Sequence, residues 1–235
     1  MSKLVWDATG ERKFEIGVDH GVLYTWNSTN SSYDVGVVWN GLTTVTNKPD
    51  GAEATDLWAD NIKYATLRSA ETFGATIEAY TYPEAFAACD GSAVVATGVY
   101  LGQQSRKPFG FCYRTMMGTD TDSDYADNDN NYKIHVIYNA TASPSERAYE
   151  SVNDSPDAIK LSWDITTTPV NVTGYKPASE IVIDVSKLSD EHRTALLNKL
   201  YGTDGTGGTG GTDPTLPQPD ALLALIGGNT ATTTE

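Results

Sequence analysis

Apolar and polar residues alternate with a period of two over much of the chain, which is the pattern of strands that bury one face. The alternation is clearest at residues 73–79, 109–115, 132–138 and 159–165. Shorter runs of β-forming residues occur at residues 14–23, 36–44, 93–101 and 180–185. Clusters of Gly, Pro, Asn and Asp separate these runs, as they do in sandwiches and barrels. The pattern predicts an all-β fold with minor α content, arranged as a β-sandwich.

Helix signals are few. Residues 83–88 follow a predicted strand and begin with proline, which predicts a short flanking helix. A C-terminal helix is predicted after Ser189, which can cap it, and before Gly202, which can end it. A weaker helical turn is predicted from Ser143, because Ser-Pro-Ser-Glu reads as a capping box with proline at the first helical position.

The composition changes after Gly202 and divides the chain into three predicted parts. We expect a β-sandwich domain over residues 1–202, a Gly/Thr-rich linker over residues 203–213 and an extended C-terminal tail over residues 214–235. Such a tail either is disordered or docks on a neighbouring protein, and the sequence leaves both open. If it docks, the candidate contacts are the apolar residues Leu222, Leu223 and Ile226.

The charge balance excludes several classes of protein. The 235 residues include 16 Lys and Arg against 31 Asp and Glu, a formal charge of −15. This excess of acid argues against stable binding to a phosphate backbone.

No stretch approaches the roughly 20 apolar residues of a membrane helix, so we expect no membrane partner. The first residues lack the apolar segment of a secretory signal, so we expect no export and reduced Cys89 and Cys112.

Motifs that carry chemistry are missing from the sequence. His20, His135 and His192 lie far apart, and neither a Cys-x-x-Cys pair nor a phosphate-binding glycine loop occurs. We therefore expect no cofactor, no metal, no catalytic residue and no enzymatic activity, and we expect His135 to be a packed or interfacial residue of a strand. A site assembled from distant residues stays open at this point.

An acidic cluster stands out at Asp120, Asp122, Asp124, Asp127 and Asp129. Its Asp-x-Asp-x-Asp start resembles a calcium loop. Tyr125 stands where such a loop needs glycine, however, and Asn131 stands where a glutamate should close it. A solvated loop between two strands is the favoured interpretation, and bound calcium is the alternative.

Residues 46–61 form a long predicted connection without clear alternation that still carries Leu57 and Trp58. Long connections in compact domains are usually functional or disordered. An apolar pair in such a loop either packs on a partner or folds back onto its own domain.

Several whole segments resemble the major tail protein, the tail tube subunit, of long non-contractile-tailed bacteriophages and prophages. One is Glu-Thr-Phe-Gly-Ala-Thr-Ile-Glu-Ala-Tyr, which begins at Glu71. The full set, in chain order, is residues 18–24, 36–43, 51–64, 71–86, 89–91, 102–115 and 143–163, with a weaker likeness at 201–202 and 216–220. The resemblance covers most of residues 3–170.

The resemblance implies a structural virion protein with a β-sandwich tail-tube fold. Six copies would form a ring, and the rings would stack into a tube that delivers the genome. The implied partners are further copies of the chain, a tape-measure protein in the lumen, and tail-tip and tail-terminator proteins. Double-stranded DNA would pass through without stable binding. The implied location is the virion tail, assembled in the cytoplasm of the host bacterium.

The same analogy suggests site residues. Residues 46–61 become a candidate arm between stacked rings, with Leu57, Trp58 and Asp60 as its contacts. The candidate acids facing the lumen are Glu71, Glu78 and Asp164. Six copies at −15 carry a formal charge of about −90 per ring, a field that repels phosphate. The alternative function is an acidic carbohydrate-binding or adhesive module on a virion surface, and a secreted hydrolase of sandwich fold ranks below it.

Overall fold

The computed structural model describes residues 4–121, 130–149, 151, 157–205 and 210–228. Most of the predicted acidic cluster, residues 122–129, lies outside the described residues. The alternatives of a solvated loop and a calcium loop therefore stay predictions. Of that cluster, Asp120 is described, and its carboxylate accepts a hydrogen bond of 2.8 Å from the backbone N–H of Gly10.

Antiparallel strands are the main secondary structure of the described residues. They are β1 (Lys13–Asn27), β2 (Ser32–Tyr33), β3 (Val37–Trp39), β4 (Leu42–Gly51), β5 (Ala54–Ala59), β6 (Ile62–Arg68), β7 (Glu71–Ala79), β8 (Ala93–Ala96), β9 (Val99–Leu101), β10 (Phe109–Thr119), β11 (Tyr132–Ala142), β12 (Leu161–Thr167) and β13 (Glu180–Asp184). The helices are a 3-10 turn at Glu84–Ala88, another at Val185–Lys187, α1 (Asp190–Tyr201) and α2 (Pro219–Leu225). The predicted fold class, all-β with minor α content, is confirmed.

One large sheet runs in the order β2-β1-β10-β11-β12-β7-β4, with β3 added beside β1 and β13 beside β11. Residues from both halves of this sheet share one aromatic core, so the sheet folds over on itself as a sandwich. The indole of Trp39 on β3 packs 5.5 Å from that of Trp163 on β12 and 5.4 Å from the ring of Phe111 on β10. Hairpins β5-β6 and β8-β9 form two separate small sheets.

Strands β10 and β11 bury side chains on both faces, because a second core lies on the side away from the first. Phe111 points into the first core and its neighbour Cys112 into the second, as strand alternation requires. The second core is closed by the helices, which contribute the fully buried side chains of Leu196, Leu200 and Leu222. The hydroxyl of Tyr24 on β1 donates a hydrogen bond of 2.6 Å to the carbonyl of Leu200.

Two of the three helix predictions are confirmed. The 3-10 turn occupies the predicted flanking position, and α1 begins after Ser189, whose hydroxyl accepts from the N–H of His192 at 3.3 Å. The helical turn predicted from Ser143 is wrong, since residues 143–149 carry no helix. Arg147 instead forms an ion pair with Asp90. This tertiary contact outweighs the local preference of Ser143 to cap a helix.

The C-terminus differs from the predicted linker and extended tail. Residues 210–228 lie against their own chain, where Leu216 and Leu222 are buried in the second core. Backbone bonds fix the segment, with Thr215 donating to Lys199 at 2.8 Å and Gly36 donating to Pro214 at 2.8 Å. The stretch predicted to be extended contains α2. Because Leu216 and Leu222 cover part of the second core, the folded body extends beyond residue 202.

Candidate assembly surfaces

Residues 54–68 form an isolated hairpin, which we call the arm. Residues 46–61 are therefore mostly strand, with breaks at 52–53 and 60–61, rather than the loop that the sequence predicted, because β4 pairs with β7 and β5 pairs with β6. The turn of the arm is Asp60-Asn61, and both residues have positive φ, 51° and 63°. Two such residues make the primed turn whose twist matches that of paired strands. Asp60 therefore has a turn-forming role in the structure.

The arm buries little of its surface against the described part of the chain. Every residue of β5 and β6 is exposed except Ala65, which is half-buried. The exposed residues include Leu57, Trp58, Ile62, Tyr64 and Leu67. An isolated two-stranded hairpin is marginally stable in water, and clustered exposed apolar side chains mark interaction surfaces. The arm is therefore the strongest candidate contact surface of the chain.

The two faces of the arm differ in chemistry. Successive residues of a strand point to opposite faces, and the pairing places β6 residues with their β5 partners. The face that we call the apolar arm face carries Thr55, Leu57, Ala59, Ile62, Ala65 and Leu67. The opposite, ionic arm face carries Ala54, Asp56, Trp58, Lys63, Thr66 and Arg68. Tyr64 is the extra residue of a β-bulge. Because of this bulge, Ile62 and Ala65 lie on the same face although they are three residues apart.

An ion pair organises the ionic arm face. The carboxylate of Asp56 lies 2.7 Å from the ammonium of Lys63 and accepts a hydrogen bond of 2.8 Å from the hydroxyl of Thr66. The hydrogen bond from Lys63, followed by that from Thr66, holds the pKa of Asp56 below its usual range. Leu57 and Trp58 were predicted together as contacts, but the structure separates them: Leu57 lies on the apolar arm face and Trp58 beside the ion pair.

The outward side of β4, β7 and β12 forms a second surface, which we call the outer sheet face. Glu78 and Asp164 both lie on it, as alternation with the buried Ile77 and Trp163 requires. Glu71 does not join them, because it begins β7 opposite Gly51, at the base of the arm. β4 is the edge strand of this part of the sheet.

Both acids of the outer sheet face have lysine partners. Lys160 lies 2.6 Å from Glu78, and Lys48 lies 2.9 Å from Asp164. The hydrogen bond from Lys160 lowers the pKa of Glu78. The pKa of Asp164 is lowered by the hydroxyl of Thr76 and by Lys48. The two acids and two lysines sum to zero formal charge, so these four residues do not make the outer sheet face acidic.

The predicted tail contacts lie in the chain's own body. Leu222 is fully buried, while Leu223 and Ile226 are half-buried. A cavity of about 270 Å³ lies beside Leu223, lined also by Val172, Tyr175, Ala178 and Ile181. Asp220 fixes the start of α2 by accepting hydrogen bonds from the backbone and the hydroxyl of Thr173, at 2.8 and 2.7 Å.

His135 is a packed residue, as the sequence predicted. Its ring stacks on Tyr113 with centroids 4.6 Å apart, and it is 9% exposed. Its Nε2 lies 3.3 Å from Glu15, and its Nδ1 lies 3.5 Å from Glu180. No group of three His, Cys, Asp or Glu side chains placed to hold a metal ion occurs among the described residues.

The remaining surface holds shallow depressions. One of them, of about 610 Å³, lies on the outer sheet face beside Lys48, Phe73, Asp164 and Thr167. Within the ranges that the structure describes, no helix is long and apolar enough to cross a membrane.

Similarity to known proteins is weak. No family model matches the sequence, and no curated protein sequence matches it. Among solved structures, a chain from the sheath-tube complex of an extracellular contractile injection system, in its extended state, aligns with a TM-score of 0.30 and 10% identity. The alignment covers 71% of this chain and 89% of that one.

Proposed function

We propose that this chain is the structural subunit of a phage tail tube, in which hexameric rings stack into a conduit for genome delivery. The observation that carries the proposal is the arm, which presents Leu57, Ile62 and Leu67 to solvent at 43, 62 and 56% exposure. A chain that acts alone gains nothing from such a surface. A chain that polymerises buries it against the next copy. The resemblance of whole sequence segments to major tail proteins supports the same function.

The outer sheet face is our candidate lining of the tube. It is polar, and its lysines are engaged by Glu78 and Asp164. Tight binding to DNA requires lysines and arginines that neutralise phosphates and release their counterions. Lysines that are already paired with carboxylates neutralise few phosphates and release few counterions. DNA can therefore pass without being held. The edge strand β4 offers backbone groups for pairing with a neighbouring subunit.

The proposal includes the partners that a tail tube requires. Copies of this chain are the principal partner. A tape-measure protein would occupy the lumen, and tip and terminator proteins would bind the two ends of the tube. The protein would then reside in the virion tail after assembly in the bacterial cytoplasm.

Negative-stain electron microscopy of the concentrated, purified protein tests the proposal directly. We expect rings or hollow tubes of uniform width, and we expect their number to rise with salt, because screening weakens repulsion between chains of charge −15. A protein that stays monomeric at every concentration and salt level would contradict self-assembly. Quenching of tryptophan fluorescence by sugars would then favour the carbohydrate-binding module.

A further inference from the structure

A second exposed hairpin, β8-β9, has apolar side chains on both faces. Val94, Val95, Val99, Tyr100 and Leu101 are 49 to 60% exposed. No Asp, Glu, Lys or Arg occurs between Asp90 and Arg106. The hairpin is rooted just after the 3-10 turn, where the backbone N–H of Gln104 donates a hydrogen bond of 2.9 Å to Gly91, and that of Lys107 donates one of 3.0 Å to Ala88. Its strands are otherwise exposed apart from the half-buried Ala93.

The arm and the β8-β9 hairpin leave the body from opposite ends of β7. The arm precedes Glu71, at the end where β7 pairs with Gly51. The 3-10 turn and the β8-β9 hairpin follow Ala79, at the end where β7 pairs with Leu42. The nine residues of β7 span roughly 26 Å. The two apolar surfaces of one copy therefore lie at its two ends along this strand.

We infer that the apolar arm face of one copy binds the β8-β9 hairpin of the next copy, head to tail along the direction of β7. This inference rests on the proposed function and names the surface that receives the arm. Because the two elements lie at opposite ends of the subunit, stacking successive copies in the same orientation brings each arm to the next hairpin. One contact then covers both exposed apolar surfaces.

Charge favours this pairing of surfaces. Two copies repel each other, since each carries −15. The repulsion is least where neither surface brings an acid into the contact. The six residues of the apolar arm face and the whole β8-β9 hairpin are uncharged. By contrast, the exposed Val182 lies on β13 between Glu180 and Asp184, so a contact there would bring acids with it.

Symmetry disfavours the contact of one arm with another arm. A contact between identical surfaces is isologous and closes as a dimer, whereas a contact between two different surfaces can continue into rings or filaments. An arm-to-arm contact would also leave β8-β9 exposed on both copies. The head-to-tail contact permits the unlimited growth that a tube requires.

Cysteine cross-linking tests the contact, because native Cys89 and Cys112 are fully buried and give little background. Ile62→Cys places a thiol on the apolar arm face, and Val99→Cys places one on the β8-β9 hairpin. The matched control is Lys63→Cys, which lies next to Ile62 but on the ionic arm face. Each variant alters an exposed residue, so all three should fold. Two variants are mixed under mild oxidation, and dimers are measured on a non-reducing gel.

We expect the mixture of I62C with V99C to give several times more disulfide-linked dimer than the mixture of K63C with V99C. Tyr100→Asp, introduced into the V99C chain, should abolish the dimer by placing a charge in the contact. Tubes that form without the I62C–V99C dimer would overturn this inference and leave the proposed function intact. Equal cross-linking by K63C, or a dominant I62C homodimer, would also overturn it. Absence of both dimer and tubes would contradict the inference and the proposed function together.

Discussion

Leu57 and Trp58 are neighbours in sequence, but they lie on opposite faces of the arm. Leu57 pairs with Ala65 on the apolar arm face, whereas Trp58 pairs with Lys63 beside the Asp56 carboxylate. Adjacent residues of a strand cannot both enter one flat contact. The two side chains therefore have separate roles, and substitutions can distinguish them.

Leu57→Asp should weaken assembly far more than Trp58→Asp. Loss of a buried leucine costs about 1.5–3 kcal/mol per contact, which raises the concentration needed for assembly roughly ten- to a hundredfold. Trp58→Asp adds a charge to a face that already holds charges, so its effect should be several times smaller. Sedimentation of the polymer over a concentration series measures both, and circular dichroism checks that each monomer is folded. Equal effects of the two substitutions would contradict the division into faces.

Leu222→Ala should destabilise the monomer, because the fully buried side chain of Leu222 helps close the second core. Removing a buried leucine side chain costs about 2–5 kcal/mol. Truncation after Gly202 should cost more, since it also removes the buried Leu216 and exposes the core beneath α2. Urea denaturation followed by tryptophan fluorescence gives the free energy of unfolding.

The control for these two changes is Leu67→Ala, an exposed leucine on the arm. It should change the free energy of unfolding of the body by less than about 0.5 kcal/mol. If the chain ending at Gly202 were as stable as the full chain, residues 210–228 would not be part of the folded body.

The sequence predicted the strands that bury one face in the core. β7 and β12 alternate between the apolar first core and the polar outer sheet face, so their hydrophobic period is visible. The sequence does not predict the strands of the arm, because both faces of the arm are solvent-exposed in the monomer. Without a core on one side, its apolar and polar residues need not alternate. β5 therefore falls within the stretch that the sequence predicts as a loop, where Leu57 and Trp58 are the only sign of a contact surface.

Tertiary contacts account for the other differences. α2 has seven residues, and its position depends on a core surface built from distant strands, which no local pattern reveals. The lysine beside Asp164 is Lys48 of β4, and the lysine beside Glu78 is Lys160, which directly precedes β12. Such pairings between distant residues could not be predicted from the count of acids. The sequence gives the total charge of −15. Strand register decides which face of the sheet each charged side chain occupies.

Cys89 and Cys112 should not react with thiol reagents in the native protein. Both are fully buried, and burial raises the pKa of each thiol to about 12. The reactive thiolate is then scarce at pH 8, and the reagent has no access to it. Ellman's reagent should detect two thiols in denaturant and essentially none before unfolding. The I62C variant is the positive control, with one reactive thiol in the native state; fast reaction of the wild type would contradict the buried positions.

The ion pair between Asp19 and Arg114 should make the protein sensitive to acid. Arg114 donates two hydrogen bonds of 2.7 Å to the Asp19 carboxylate, from Nε to Oδ1 and from Nη2 to Oδ2. Burial alone would raise the pKa of Asp19, but the hydrogen bonds and charge of Arg114 outweigh burial and lower it. A carboxyl with a lowered pKa in the folded state stabilises that state above its ordinary pKa of about 3.9. This stabilisation is lost as the pH falls through the lower, folded value.

Asp19→Asn should therefore reduce the free energy of unfolding by about 1–3 kcal/mol at pH 7, the usual contribution of hydrogen bonds to a charged group. The difference from wild type should shrink as the pH falls below 4, because protonated Asp19 no longer holds a charge against Arg114. Urea denaturation at a series of pH values measures it, with the exposed Asp204→Asn as a matched control that should differ little from wild type at any pH. A gap between wild type and Asp19→Asn that stays constant down to pH 2 would mean that lost packing, rather than the carboxylate charge, causes the destabilisation.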